Sequence, residues 1–417
     1  MKTNSILATD PPAAGAGYAV FILTMMNLLN YLDRIIPSVV KDLFKVDLKL
    51  TDTQTSLPIT GFVIVYMLTS PIFGAQADKW PRKVLIALGV AIWSLATGAA
   101  ALAVGFWTFL LARAFVGIGE AAYATISPAL LSDFYPPAKR NRIITLFYVA
   151  IPIGSALGFV LGGYFGEAFG WRAAFLICGL PGLAIAGLAL TIRDPGRGRY
   201  DSDAKEIPPP WRKALGPLLK NREYVLAVAG YAAVTFASGA LADWFAPSLQ
   251  RQHGMSVKAS GLYVGASAAL GGLAGTTLGG LLADRLKRLT RQPYLALSGW
   301  SMALTTVFAL MALRVSNTTA TIVLLFIAQF FLWFYNGPIN ALIANAVPSA
   351  LRVRAFALSI LSIHIFGDAV SPSIVATASD HIGLQKAIQM IPVALGAGAL
   401  IWLYAWRVLP ERTTNES

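Results

Sequence analysis

The sequence predicts an all-α membrane protein of twelve transmembrane helices, arranged as two pseudo-symmetric bundles of six. Three observations carry this. Of the 417 residues 56% are hydrophobic and 13% charged, about half the charge of a soluble domain. Apolar runs of about 20 residues, long enough to cross a bilayer, recur about twelve times. Three short patterns from the first half return in the same order in the second, at offsets of about 210 residues.

The repeats divide the chain. Asp33-x-x-x-Pro37-Ser38 in the first helix returns as Asp243-x-x-x-Pro247-Ser248 in the seventh. Gly74-x-x-x-Asp78 closes the second helix, and Gly280-x-x-x-Asp284-Arg285 closes the eighth. Pro136-Pro137-Ala138-x-Arg140-x-Arg142 follows the fourth, and Pro348-Ser349-Ala350-x-Arg352-x-Arg354 follows the tenth. Between them hydrophobicity collapses into a charged stretch containing Pro208-Pro209-Pro210. We therefore expect bundles at residues 1–192 and 223–417, joined by a cytoplasmic linker at 193–222. Within the linker, Trp211, Leu215, Leu218 and Leu219 among basic residues suggest a short interfacial helix. Duplicated units of this kind build alternating-access carriers with a site near the bilayer midplane.

A net charge of +13 invites a nucleic-acid partner, but its distribution points to a bilayer. With both termini cytoplasmic, the inner segments hold roughly 23 Lys and Arg and the outer ones roughly 8, as the positive-inside rule requires. The first helix lacks a small-residue cleavage site and is expected to be retained. Cys178 is the single cysteine, in an apolar helix, and the three histidines are scattered, so no metal site or cofactor is expected. Aligned nucleophile–base sets are also lacking, which argues against an enzyme.

The chemistry begins in the first helix. Asp33 and Arg34 stand side by side in an apolar run, where each charge costs roughly 2.5–3.5 kcal/mol on insertion scales. Neighbours at i and i+1 point about 100° apart, so each needs a partner from another helix. The fourth helix offers Arg113 and Glu120, seven residues apart on one face. Counting the rise from approximate helix ends, Arg113 is placed to meet Asp33 and the long Arg34 side chain to reach toward Glu120. Two arginines supply charge-assisted hydrogen bonds for a phosphate, and a desolvated Glu120 is suited to carry a proton. The bland alternative is a permanent ionic stitch between the two helices. At the end of the second helix, Asp78 is expected to pair with Arg82, with Asp133 completing the network.

Further along, Gly154, Gly158 and Gly162 form a small-xxx-small stripe expected to pack closely on another helix. Asp243 is the counterpart of Asp33 near a helix end. Phe330 to Tyr335 is an aromatic stretch, read mainly as packing or lipid-facing surface. Asn317-Thr318-Thr319 fits a glycosylation acceptor in a short loop. His364 and Asp368 share a helical face four residues apart, as either a structural pair or a proton relay.

Several of these strings carry a resemblance. Gly74-Ala75-Gln76-Ala77-Asp78-Lys79-Trp80-Pro81-Arg82-Lys83 resembles the loop motif of the major facilitator superfamily, G-x-L-A-D-R-x-G-R-[RK], departing at Gln76, Lys79 and Pro81. Within it, Asn27-x-Leu29-Asn30-Tyr31-x-Asp33-Arg34 is similar to the first-helix signature of the spinster family. So are Arg113-x-x-Val116-Gly117-x-Gly119-Glu120-Ala121-x-Tyr123 and Phe147-Tyr148-x-Ala150-Ile151-Pro152. His364-x-x-Gly367-Asp368-Ala369-x-Ser371-Pro372 resembles that family's H-L-L-G-D-A-x-S-P. Phe159 stands where the superfamily's antiporter motif has proline.

The resemblance implies a major facilitator fold in a multi-pass cell-membrane protein (inner membrane if bacterial), expected to be monomeric. It also implies a secondary transporter of lysophospholipids or sphingosine phosphates, with a proton as coupling ion. Substrate contacts then fall on Asn30, Tyr31, Arg34, Arg113 and Glu120, and proton coupling on Asp33, Glu120, His364 and Asp368. The gate and ion network fall on Asp78, Arg82, Asp133, Asp284 and Arg285. The alternative within transport is a carrier for a small organic anion or a drug-like compound.

Overall fold

The computed structural model describes residues 11–200, 210–286, 290 and 292–410. Twelve helices in it are long and apolar enough to cross a membrane. In the first half these are α1 (Ala16–Val39), α2 (Asp52–Ala77), α3 (Arg82–Ala100), α4 (Phe106–Phe134), α5 (Arg142–Phe169) and α6 (Trp171–Ala189). In the second they are α7 (Arg222–His253), α8 (Val257–Ala283), α9 (Pro293–Ala312), α10 (Thr318–Asn345), α11 (Leu351–Ile382) and α12 (Leu384–Val408). The chain forms two compact units, Met1–Lys205 with Ser256–Gly265, and Glu206–Met255 with Ala266–Ser417. The linker contains a short helix, Trp211–Lys220, that buries Ala214 and Leu218 and exposes Leu219.

In the first unit α1 lies along α5, while α2 and α3 both pack on α4. Glycine makes these approaches possible. A Cβ on Gly154 would stand 2.4 Å from the Leu28 carbonyl oxygen, and one on Gly158 2.7 Å from that of Leu32. One on Gly162 would meet Val39 at 2.8 Å, so the predicted small-residue stripe is the seam against α1. In α4, Gly117 and Gly119 do the same work toward α2 and α3: their Cβ atoms would meet the carbonyl oxygens of Phe62 at 2.6 Å and Gly89 at 2.4 Å. Close backbones leave little room between helices, so a polar group on these faces that finds no partner is costly.

Opposite the Arg82 end, the short helix Lys41–Asp47 is pinned down. Lys45 pairs with Asp52 at 2.5 Å, and Asp47 accepts from the Arg172 guanidinium and, at 3.1 Å, from Trp171 Nε1. Those hydrogen bonds, Arg172 first and Trp171 second, hold the Asp47 carboxyl below its ordinary range. A carboxylate with a lowered folded-state pKa adds stability above its unfolded pKa and loses it as pH falls through the folded one. The pin is therefore expected to hold at neutral pH and release only below about pH 4. Trp171 fluorescence is the readout: it should change in acid, and Asp47→Asn should show the acid-like signal at every pH. A pH-independent signal identical in both proteins would refute the pin.

In the second unit α12 packs on α7 and α9, and α9 on α10. α11 is broken: His364–Asp368 forms a π turn around Gly367, whose φ of −117° and ψ of −113° are not helical. A Cβ on Gly367 would lie 3.0 Å from Thr235, and one on Gly239 2.6 Å from the Asp368 Cα, so α7 and the kinked turn touch backbone to backbone. The aromatic stretch in α10 is mostly packing. Phe330 and Phe334 stand 5.0 Å apart in an edge-on pair, and the Gly275 and Gly279 faces of α8 lie against their backbones. Asn317 turns out to be a helix cap, accepting from Ala320 N at 2.9 Å.

Candidate substrate and coupling site

The charges of α1 and α4 meet inside the first unit. Asn30, Asp33, Arg113 and Glu120 are all buried, none more than 1% exposed. Arg34 Nε donates to Glu120 Oε2 at 2.5 Å, with the Arg34 side chain 24% exposed and that of Glu120 fully enclosed. Arg34 thus links the buried carboxylate to a more open side of the unit. The Arg113 guanidinium and the Thr97 hydroxyl lie beside Asp33 without meeting it in hydrogen-bond geometry, as does Asn30 beside Glu120. Both Asp33 oxygens, Glu120 Oε1, Asn30 Nδ2 and the Nε and Nη1 of Arg113 have no hydrogen-bond partner among the described residues. Leaving such groups unmatched costs about 1–3 kcal/mol each, more for charged ones.

Aromatic rings surround the arginines. The Arg34 guanidinium carbon lies 4.8 Å from the Tyr31 ring centre, 5.1 Å from that of Phe62 and 5.2 Å from that of Tyr66. Phe62 also receives Arg113, at 5.2 Å. Tyr31 was a candidate from sequence, but Phe62 and Tyr66 were not. Their only signal there is an i, i+4 spacing in an apolar helix, which ordinary packing produces equally well.

The Arg82 end holds the expected Asp133 but differs from expectation in its other carboxylate. Arg82 does not take Asp78 as its carboxylate partner. It donates to Asp133 and, through Nε at 3.0 Å and Nη2 at 2.5 Å, to Asp194. Asp78 sits at the C-terminus of α2, where its backbone carbonyl accepts from Arg197 at 2.6 Å. Arg197 also donates to the Ala77 carbonyl, Gly198 N donates to Asp133 at 3.0 Å, and Tyr200 donates to the Pro11 carbonyl at 2.7 Å. The physical reason is geometric. The guanidinium fork grips two carboxylates at once, and the stretch after α6 supplies the second one. Asp194, Arg197 and Tyr200 were missed because nothing before folding says which loop lies over which helix end.

In the second unit His364 Nδ1 and Asp368 Oδ1 are 2.8 Å apart on the π turn, with side chains 30% and 32% exposed. Asp243 is 2% exposed and is not without a partner. Arg285 is exposed, and the Asp284 side chain lies outside the described residues.

Comparison with known proteins follows the same lines. The family model described as Major Facilitator Superfamily matches residues 23–372. Protein spinster of Drosophila melanogaster is 33% identical over 378 residues, covering 88% of this chain and 62% of its own, so the chain spans under two thirds of that relative. Human protein spinster homolog 1 is 32% identical over 385 residues, 87% of this chain and 73% of its own. A sphingosine-1-phosphate transporter of Danio rerio is 30% identical over 420 residues, 96% and 82%. The crystal structure of a bacterial homolog to the human lysosomal transporter spinster, inward-facing and occupied, superposes with a TM-score of 0.84 at 22% identity. That match covers 95% of this chain and 98% of that one. The paired charges of α1 and α4 therefore sit in a fold and a sequence background with one common source: the chain belongs to the spinster family of the Major Facilitator Superfamily.

Proposed function

We propose that the protein is a secondary active transporter that moves a single-chain amphiphilic phospholipid by alternating access, coupled to protons. The observation that carries this is the Arg34–Glu120 pair at 2.5 Å, with the buried Arg113 nearby, its Nε and Nη1 without a hydrogen-bond partner among the described residues. A phosphate arriving at Arg34 and Arg113 competes with Glu120 for the same donors. Protonating Glu120 removes that competition, so head-group binding and proton binding favour one another. Asp33 shares the electrostatics of this set and is the second proton-coupling candidate. His364 with Asp368 is the corresponding candidate in the second unit. The zebrafish relative's named substrate, sphingosine-1-phosphate, is a phosphate on one chain, which suits this donor set. Both termini are placed on the cytoplasmic side, in the cell membrane, and the protein is taken to work as a monomer.

The test is uptake of labelled lysolipids and small organic anions into proteoliposomes, with and without an imposed proton gradient. Competition by lysolipids of graded chain length, kept below their micellar concentrations, then reads the chain. Each buried methylene removed is expected to weaken binding by up to about 0.8 kcal/mol. A diacyl lipid should compete poorly. A flat series, or equal competition by a diacyl lipid, would replace the lysolipid with a small organic anion.

A further inference from the structure

Two guanidinium groups share the ring of Phe62. Arg34 lies 5.1 Å and Arg113 5.2 Å from its centre, and the ring is 5% exposed. Like charges brought together away from water repel, and Glu120 makes a direct hydrogen bond to only one of them, at Arg34 Nε. A ring face carries negative quadrupole density and attracts a guanidinium placed over it, more strongly where water is excluded. The backbone puts the ring there. The virtual Cβ of Gly117, one helical turn from Arg113, lies 2.6 Å from Phe62 O and 3.2 Å from Tyr66 N. Only a glycine lets α2 come this close. Tyr66 stands 6.2 Å from Phe62 and with Tyr31 completes the aromatic surround of Arg34. These rings offer no strong hydrogen-bond acceptor face, so they hold Arg34 while leaving its Nη donors uncommitted.

We infer that Phe62 is a positioning residue that holds Arg34 and Arg113 together as a two-armed clamp for the phosphate of the substrate head group. This rests on the transport reading above and extends it. Arg34 must change partners between Glu120 and phosphate. A long side chain released from its carboxylate loses its fixed geometry unless something else holds it, and ordering it anew costs conformational entropy. The Phe62 ring holds both arginines whether or not Glu120 does, so the phosphate meets donors already in place. Preorganised donors bind more tightly because that ordering has been done beforehand.

The experiment replaces Phe62 with mono-, di- and trifluorophenylalanine in the full-length protein in nanodiscs, and measures binding of a fluorescent lysophosphatidate. Fluorine drains density from the ring face while nearly preserving its size and apolarity, so a purely packing role predicts no trend. The expected result is stepwise weakening with each fluorine, reaching about tenfold for the trifluoro ring, with thermal stability unchanged. Phe62→Leu should bind at least as weakly as the trifluoro protein, and Phe62→Tyr close to wild type. Normal wild-type binding with a flat fluorine series overturns the clamp alone. A wild-type protein that binds no lysophosphatidate overturns the transport reading and the clamp with it.

Discussion

Glu120→Gln is expected to abolish gradient-driven accumulation while leaving a folded, membrane-inserted protein. Glutamine keeps the shape and still offers an oxygen to Arg34 Nε, now 2.5 Å from the carboxylate. What it removes is the negative charge that competes with phosphate and the site that takes up a proton. Asp33→Asn and Arg34→Ala are expected to have the same effect on accumulation for complementary reasons. Glu120→Ala differs: it leaves the Arg34 charge beside a buried gap, and breaking a buried pair this way costs about 3–5 kcal/mol. Accumulation assays from pH 5 to pH 8 check the first point and thermal unfolding the second. Wild-type accumulation by the Glu120→Gln protein at every pH would sink the proposal that Glu120 carries the proton.

Arg82→Ala is expected to be the most destabilising single change at the opposite end of the first unit. Its guanidinium is 5% exposed and holds Asp133, 12% exposed, and Asp194, 33% exposed. Removing it strands two carboxylates, one of them well buried, at a cost of about 3–5 kcal/mol. Arg82→Lys keeps the charge but has no planar fork to grip two carboxylates, so it should fall between Ala and wild type. Asp194→Asn should loosen the stretch around Arg197 and Tyr200, exposing it to protease. Asp78→Asn, by contrast, leaves the Arg82 grip intact and should change stability little. Unfolding of the four proteins in detergent ranks them, and an Arg82→Ala protein as stable as wild type would show the network to be incidental.

Much of this was legible beforehand, for physical reasons specific to each feature. Spans are legible because a bilayer imposes one length and one polarity on every helix. Asp33, Arg34, Arg113 and Glu120 stood out because charge in such helices is costly. Arg34 and Glu120 could be brought to reachable depth by counting a fixed rise per residue. The glycines of α5 announced a close seam by their spacing of four. Each of these inferences uses only local regularity, which a helix carries in its own sequence.

What the tertiary structure alone decided depends on which faces meet. Phe62 looks like any apolar residue of α2 until Gly117 draws that helix in and sets its ring between two arginines. Arg82 appeared matched to Asp78, four residues away, until the segment after α6 delivered Asp194 to a better position. The break at Gly367 likewise sits against a neighbour: a Cβ there would press on Thr235 of α7 at 3.0 Å, a contact that the sequence of α11 alone does not announce. Helical periodicity determines what each helix is and which charges it must hide; the partner for each charge is chosen by packing, which no single helix encodes.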